Sequence, residues 1–265
     1  MTDSLPQPFD VKLMNIAASV LFMVCGVMVL AAGFLWALRN PVFAIGGITV
    51  GGDVAHNNAV TLRANVAPHL RGTFFTTDLA ETRAAFEAVP WVRRAVVQRE
   101  FPNRLRVLLH EHQPVALWGQ EGDSTLVNSF GEVFEANVGD VEQDDLPRLR
   151  GPEGQSAQVL AMYQAIAPQL DAIDLTGSEL VLTGRGSWQA VLDSGATLEL
   201  GRGTPAEVGA RVQRFTHTLT QVTSKYGRRA DALESADLRH GDGYALRLRG
   251  VTTVLTDGAK KPEQK

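Results

Sequence analysis

The first feature of the hydrophobic pattern is one long uncharged run near the N-terminus. No residue from 13 to 38 carries a charge, and Asn15 and Ser19 are its only clearly polar members. As a helix, this run would span about 39 Å, against about 30 Å of bilayer hydrocarbon. Trp36 lies near its end, where an aromatic ring suits the membrane interface. The run is too long for the apolar region of a signal peptide, so we predict an uncleaved transmembrane helix.

The charges around this helix leave its orientation open. A head of residues 1–12 precedes it, with Asp3 and Asp10 in the head and Lys12 at its end, while Arg39 follows the helix. Positive residues on the cytoplasmic side usually set the orientation of a single-pass protein. Because a positive residue flanks each end here, the rule gives almost no bias.

The pattern after Asn40-Pro41 changes to short alternating elements. Asp78, followed by Glu81, is typical of a helix N-terminus, and Pro90 ends that helix. Phe101-Pro102-Asn103 predicts the turn between two strands. The predicted elements are a strand at 43–50, a helix within 58–70, a helix from 78 to 89, and strands at 91–99 and 105–112. Their order predicts a compact α+β module with two helices on one small sheet.

Pro114 marks the start of a second region with many short strands. The acidic, Pro- and Gly-rich segment 140–154 predicts a loop, and Thr204-Pro-Ala-Glu207 is typical of a helix start. The predicted strands lie at 115–118, 126–128, 133–134, 179–183, 188–192, 197–200, 236–239 and 244–249, with helices near 159–170 and from 204. We therefore predict a mainly antiparallel β domain with two helices over residues 114–257. A disordered polar tail is expected at 258–265.

Composition excludes some classes of function. The 265-residue chain has a net charge of -4, so no global basic field favours nucleic-acid binding. Its single cysteine, Cys25, cannot form an intramolecular disulfide. The fold must therefore be held by packing and hydrogen bonds.

The best candidates for a metal-binding or acid-base site are His110 and His112, which are two residues apart on a predicted strand. A metal site needs three or four ligands, and the other histidines are scattered singly along the chain. The segments 184–186 and 201–203 are Gly-Arg-Gly turns without a phosphate-loop pattern. No serine lies in a GxSxG motif. We therefore expect no metal, no cofactor and no catalytic set.

The last predicted strand, Tyr244–Arg249, raises a different kind of site. A terminal strand often lies at a sheet edge, where unpaired N–H and C=O groups can accept a strand from a partner. Alternatively, residues 251–255 or another strand cover this edge. The residues alone leave both interpretations open.

The ordered set of motifs resembles the FtsQ family of bacterial cell-division proteins. The stretch Phe101–Trp118 is similar to the family pattern of an aromatic-Pro turn, an alternating strand, a glutamate, a proline and a tryptophan. Val89-Pro-Trp-Val92, Gly131-Glu-Val-Phe134, Trp188-Gln, Leu200-Gly201 and Ala236-Asp-Leu-Arg239 follow in the family's order. Glu111 matches the pattern and the histidines beside it do not, so His110 and His112 are expected to be incidental.

The resemblance implies an architecture, a location and an absence of catalysis. It implies a POTRA domain at residues 43–112, followed by the family's β domain. It also implies a single-pass inner-membrane protein with a cytoplasmic N-terminus and a periplasmic bulk, acting at the division septum. This supplies the orientation that the flanking charges leave open.

The resemblance also implies partners. In the family, the last strands of the β domain bind FtsB, in complex with FtsL, by strand addition, and the POTRA domain contacts other divisome proteins. His240 stands where a tyrosine is common, and Leu248 where some members have a tryptophan. The residues implied to face FtsB are Arg185 and, within 239–248, Arg239, His240, Asp242, Gly243, Tyr244, Leu246 and Leu248.

The sequence is also compatible with two other classes of protein. One is another POTRA-bearing envelope assembly or transport protein, although such proteins usually continue into a β-barrel of many strands. The other is a membrane-anchored periplasmic enzyme. It would need a set of polar catalytic side chains in one site, and the sequence has no motif that predicts such a set.

Overall fold

The computed structural model of the chain describes residues 9–137, 139, 141, 146–241 and 243–251. The chain divides into two compact units, Met1–Glu111 and His112–Lys265. Most of the predicted head, the predicted tail at 258–265 and the candidate site residue Asp242 lie outside the described residues.

The first unit begins with α1 (Phe9–Leu38), which contains the predicted transmembrane run. By length and composition this helix is suited to cross a membrane, and none of its residues is buried. A 3₁₀ helix, Pro41–Phe43, follows. The predicted strand at 43–50 therefore begins later, at Gly47. Asn40 explains the difference, because its Oδ1 accepts a hydrogen bond from Val42 N (3.1 Å) and starts a helical turn at Pro41.

The remainder of the first unit has the predicted order of strand, helix, helix, strand and strand. Its elements are β1 (Gly47–Gly52), α2 (Ala59–Val66), α3 (Leu79–Glu87), β2 (Val92–Glu100) and β3 (Arg104–Glu111). The sheet order is β1-β3-β2, with β1 parallel and β2 antiparallel to the central β3. Along β3, Leu105, Val107 and Leu109 are fully buried and alternate with exposed residues, as the sequence predicts.

Both helices of this module begin at side-chain caps. Asn58 Oδ1 accepts a hydrogen bond from Thr61 N (2.8 Å), and Asp78 Oδ1 accepts one from Ala80 N (2.7 Å). These caps satisfy backbone donors that have no partner within the helix. The two helices then contribute apolar residues to one core with the sheet: Leu62, Val66, Ala85 and Phe86.

The second unit is built on a nine-stranded sheet. Its strands are β4 (Pro114–Trp118), β5 (Thr125–Asn128), β6 (Val133–Glu135), β7 (Arg148–Arg150), β8 (Gly177–Leu182), β9 (Trp188–Leu192), β10 (Thr197–Gly201), β11 (Leu233–Asp237) and β12 (Ala245–Leu248). Their spatial order is β12-β11-β10-β9-β8-β7-β4-β5-β6. Five of the eight pairings are antiparallel and three are parallel.

Two helices, α4 (Ser156–Asp171) and α5 (Pro205–Lys225), share a core with this sheet. The start of α5 has the predicted capping box. Glu207 N donates to Thr204 Oγ1 (3.4 Å), and Thr204 N donates to Glu207 Oε2 (2.8 Å). Met162 and Ile166 of α4 and Phe215 of α5 are buried within the core.

One predicted loop contains a strand. The composition of segment 140–154 predicts a loop, but β7 lies within it and pairs in parallel with β4 on one side and β8 on the other. Leu149, at its centre, is fully buried. A strand of three residues is too short to show an alternating pattern, so only its long-range neighbours define it. The two closing strands also differ slightly from their predicted bounds of 236–239 and 244–249.

Candidate functional site

The last strand, β12, lies at an edge of the nine-stranded sheet. It pairs antiparallel with β11, and no other strand that the structure describes lies beside it. Of the segment predicted to cover it, residues 252–255 lie outside the described residues, and Val251 is not part of a strand. Within the described chain, one side of β12 is therefore unpaired.

The direction of the backbone groups on β12 follows from one hydrogen bond. Just beyond the strand, Arg249 N donates to Ala232 O (2.8 Å) on the β11 side. Because N–H groups of alternate residues point to the same side of a strand, the N–H groups of Leu246 and Leu248 point away from β11. These groups are suitably placed to pair with an added strand.

The side chains of β12 and its approach hold the strand against α5. Tyr244 Oη lies 2.8 Å from Thr218 Oγ1, and its ring packs edge-on against Phe215 with ring centroids 5.1 Å apart. Leu246 is partly buried and Leu248 is only 4% exposed, and both pack on the core. The side chain of Leu248 therefore points inward, and Leu248 as a partner-binding residue stays a prediction that concerns its backbone. Its outward N–H remains available.

An arginine-lined cleft of about 950 Å³ lies in the same unit. It brings together Arg185 and Arg239, which the resemblance singled out, with Arg202 and Arg211, which it did not. Among the described residues that line it, Glu199 is the only acidic one, and its Oε1 accepts a hydrogen bond from Gln189 Nε2 (2.8 Å). The cleft therefore carries an excess of positive charge.

The arginines of the cleft differ in how they are held. In the part of the chain that the structure describes, the side chains of Arg185 and Arg202 make no hydrogen bond or ion pair. Arg211 donates to the carbonyl oxygen of Arg202. Gly201 and Gly203, with φ of 76° and 140°, form the turn that presents Arg202 to the cleft, a conformation that favours glycine.

Arg239 is fixed by a two-pronged contact with Asp237. Arg239 Nε lies 2.9 Å from Asp237 Oδ1, and Nη2 lies 2.6 Å from Oδ2. The hydrogen bonds from Arg239 lower the pKa of Asp237 to about 2, and the same contact raises the pKa of Arg239. Both groups are thus charged at neutral pH, and the guanidinium keeps a defined orientation at the cleft.

A smaller cleft of about 400 Å³ adjoins the approach to β12. His240, Gly243 and Tyr244 line it, together with residues of α5 that include His217. Arg214 of α5 holds the same loop, because its Nη1 donates to Gly241 O (3.0 Å). Of the predicted site residues between β11 and β12, this cleft collects His240, Gly243 and Tyr244.

The predicted site residues thus form two groups in one unit. Arg185 and Arg239 share the arginine cleft, and the loop and strand residues lie at the smaller cleft and on β12. Arg202 and Arg211 are not among the residues predicted from the sequence. From the sequence, the Gly-Arg-Gly segment at 201–203 predicts only a turn. Nothing in the sequence distinguishes Arg211 from any other polar residue of the predicted helix.

His110 and His112 each have neighbours of their own. His110 Nδ1 lies 3.8 Å from Asp53 Oδ2, whereas the ring of His112 stacks on Phe134 with centroids 4.1 Å apart. Asn128 Nδ2 lies 2.8 Å from His112 Nδ1. Within the described residues, no group of three or more His, Cys, Asp or Glu is arranged to hold a metal ion.

Glu111, between these histidines, is a buried carboxylate with several donors. Its Oε1 accepts from Asn57 Nδ2 (2.7 Å) and Asn57 N (3.1 Å), and its Oε2 accepts from His56 N (3.1 Å). The His56 ring stacks on Trp91 at 3.9 Å. Burial alone would raise the pKa of Glu111, but the hydrogen bonds from His56 and Asn57 lower it below its ordinary value. Glu111 thus holds the segment between β1 and α2 in place.

The strand-helix-helix-strand-strand module defines the class of protein. Residues 43–112 match the family model described as POTRA domain, FtsQ-type, so the chain is a POTRA-domain protein with a nine-stranded second unit. Residues 116–239 match the model described as cell division protein FtsQ/DivIB, C-terminal.

The chain belongs to the FtsQ family. It is 39% identical over 254 residues to the cell division protein FtsQ of Burkholderia pseudomallei, covering 95% of this chain and 99% of that protein. It is 37% identical to the FtsQ of Thiomonas arsenitoxydans, covering 92% of this chain and 89% of that protein. It is 36% identical to the FtsQ of Bordetella pertussis, covering 97% and 98%.

Proposed function

We propose that this chain is a non-catalytic cell-division protein, anchored in the inner membrane by α1 and acting at the septum. Its head lies in the cytoplasm and its two folded units lie in the periplasm. The relatives are named cell division proteins, and the matches extend over nearly the whole chain, which supports this role over a different POTRA-bearing envelope protein or an anchored enzyme. The POTRA module contacts other divisome proteins.

The second unit binds FtsB, in complex with FtsL, by strand addition to β12. The observation that carries this proposal is the side of β12 beside which no described strand lies, toward which the N–H groups of Leu246 and Leu248 point. Backbone pairing of this kind tolerates side-chain replacement, so the histidine at position 240 and the leucine at position 248 are compatible with it.

The arginine cleft adds selectivity for an acidic segment of the partner. The guanidinium groups of Arg185 and Arg202 have no hydrogen-bond partner among the described residues, and Arg239 is already oriented by Asp237. A carboxylate entering this cleft would receive charge-assisted hydrogen bonds, which are stronger than neutral ones. The cleft therefore favours a partner whose added strand is preceded or followed by acidic residues.

The test is binding of a fragment of residues 41–265 to a soluble FtsB–FtsL fragment, measured by calorimetry. Leu246→Pro removes an outward N–H of β12 and leaves the β11 pairing intact. Leu246→Ala is the matched control, because it removes most of the side chain and keeps the N–H. We expect Leu246→Pro to abolish measurable binding and Leu246→Ala to retain most of it.

Circular dichroism of both variants shows whether they remain folded. If a folded Leu246→Pro variant binds as tightly as the parent, strand addition at β12 is wrong, although the family assignment stands. If Leu246→Ala loses as much affinity as Leu246→Pro, the contact depends on the side chain rather than on the backbone.

A further inference from the structure

The segment that joins α1 to the POTRA module is folded and tied to the module. Thr73 Oγ1 donates to Leu38 O (2.7 Å), the last residue of α1. Phe74 N donates to Phe43 O (2.8 Å) in the 3₁₀ helix after α1. The loop at 73–75 therefore lies within hydrogen-bond distance of the helix end and of the connecting segment.

The turn between β2 and β3 lies at the same end of the module. Gly46 N, directly before β1, donates to Asn103 O (2.8 Å) in that turn. The connecting segment, the 73–75 loop and the 101–103 turn thus form one end of the module, which we call the helix-proximal end. β1 leads away from it, and its six residues extend about 20 Å.

The helix-proximal end carries exposed phenylalanines and Val42, whereas the exposed apolar residues elsewhere in the described module are aliphatic: Val50, Val54, Val60 and Leu108. Val42 is 78% exposed, Phe101 is 83% exposed and Phe75 is 44% exposed. Phe43 and Phe75 contact each other edge-on with ring centroids 5.2 Å apart. Every exposed aromatic side chain in the described part of the POTRA module lies here, whereas Phe74 and Phe86 are buried.

The length of α1 places this end at the level of the lipid headgroups. The uncharged run of residues 13–38 spans about 39 Å, and it exceeds the hydrocarbon thickness of about 30 Å by about 5 Å at each end when centred. The interfacial layer on each side is about 5–7 Å deep. Leu38, and the loop bonded to it, therefore fall within that layer.

The chemistry of the patch suits that layer. Aromatic side chains are enriched at membrane interfaces, and Trp36 lies in the last turn of α1, next to the same end. Arg39 and Arg71 are exposed at this end and supply positive charge for lipid phosphates. Insertion would remove the exposed apolar surface of Phe101 from water, which is favourable.

We infer that the helix-proximal end of the POTRA module is a second membrane contact, in which Val42, Phe75 and Phe101 insert into the interfacial layer of the bilayer that α1 spans. The module is thereby held at the membrane surface instead of moving freely on a tether. This inference rests on the proposed anchoring by α1 but is independent of partner binding at β12.

The test places one nitroxide label at a time on the full-length protein in vesicles of phosphatidylethanolamine and phosphatidylglycerol. Labels are attached through Val42→Cys, Phe101→Cys or Val60→Cys in a Cys25→Ser background. Val60 is the matched control, because it is also 78% exposed but lies at the start of α2, near the end of the module that Glu111 holds. The accessibility of each label to oxygen and to a water-soluble nickel complex is measured.

We expect labels at 42 and 101 to show an oxygen-to-nickel accessibility ratio several-fold higher than the label at 60. Lipid contact raises exposure to oxygen and lowers exposure to nickel, whereas burial against protein lowers both. Labels at 42 and 101 that behave like the label at 60, or that are shielded from both reagents, would overturn the inference.

A label on the native Cys25, near the middle of the uncharged run, distinguishes failure of the second membrane contact from failure of the anchoring by α1. If it lies deep in the hydrocarbon while 42 and 101 are exposed to water, the anchoring by α1 stands and the second contact is wrong. If the Cys25 label is itself exposed to nickel, the anchoring fails and the inference fails with it.

Discussion

Glu111 is the residue for which the structure adds most to what the sequence shows. In the sequence it is one position of a family pattern, flanked by two histidines. In the structure its carboxylate is buried and accepts hydrogen bonds from the backbone and side chain of Asn57 and the backbone of His56. A buried acceptor with several donors is costly to remove, because the donors are left without a partner.

Glu111→Gln is therefore expected to destabilise the POTRA module by about 1–3 kcal/mol. The amide presents one oxygen and an NH₂ group, and the NH₂ group faces donors rather than acceptors. Chemical denaturation followed by the fluorescence of Trp91, which stacks on His56, measures the change. Glu100→Gln is the control, because Glu100 makes a more exposed ion pair with Arg106, and it should change stability by less than about 1 kcal/mol.

The pH dependence of the same variant gives a second readout. The folded state lowers the pKa of Glu111 below its ordinary value of 4.5, so the unfolded chain takes up this proton first as the pH falls. The stabilising contribution is complete above about pH 4.5 and is lost as the pH falls through the lower folded pKa. Unfolding curves of parent and Glu111→Gln should therefore converge in acid. A difference that stays constant down to pH 3 would contradict this role for the carboxylate.

At the scale of elements, local signals and long-range pairing contribute differently. The start of α5 is specified by neighbouring residues, since Thr204 and Glu207 accept hydrogen bonds from each other's backbone N–H and Pro205, at the first helical position, has no N–H to satisfy. β7 has no comparable local signal and exists because β4 and β8 lie on either side of it. β12 is intermediate, because its sequence predicts a strand but only the sheet order makes it an edge.

Thr204→Ala is expected to destabilise the second unit by about 1 kcal/mol, because it removes the cap that accepts from Glu207 N. Thr220→Ala, an exposed position within α5, is the matched control and should be neutral or slightly stabilising, because alanine has the higher helix propensity. Urea denaturation of the 41–265 fragment compares the two. Equal effects of both substitutions would show that the cap contributes nothing beyond helix propensity.

At the scale of the whole molecule, α1 and the folded units depend little on each other for stability. None of the residues of α1 is buried, and its last residue, Leu38, accepts a hydrogen bond from Thr73. The folded units have their own cores, one in the POTRA module and one in the nine-stranded unit.

Removal of residues 1–40 should therefore leave the folded units intact. The hydrogen bonds lost are the one from Thr73 Oγ1 to Leu38 O and the two that Asn40 accepts from Val42 N and Phe43 N. Only the first ties the removed segment to the loop at 73–75, and its loss, worth about 1 kcal/mol, corresponds to a decrease in melting temperature of about 2–4 °C. Thermal scans by near-UV circular dichroism of the full chain in detergent and of the 41–265 fragment provide the comparison. A fragment that has lost its tertiary signal at room temperature would mean that α1 is part of the fold.

Much of this architecture is determined by the sequence alone. The length of the uncharged run defines α1, the alternation along β3 defines its buried face, and the caps at Asp78 and Thr204 define two helix starts. These features are local, so neighbouring residues specify them through hydrogen bonding and side-chain direction. The motifs that resemble the FtsQ family also lie in short stretches of chain.

Only the tertiary structure decides which distant residues meet. It brings Arg185, Arg202, Arg211 and Arg239 to one cleft, turns the side chain of Leu248 inward and places β12 at the sheet edge. It also gathers Val42, Phe75 and Phe101 at one end of the POTRA module. The physical reason is that sheet order and loop docking depend on pairing between residues far apart in the chain, and no local pattern of polar and apolar positions records that pairing.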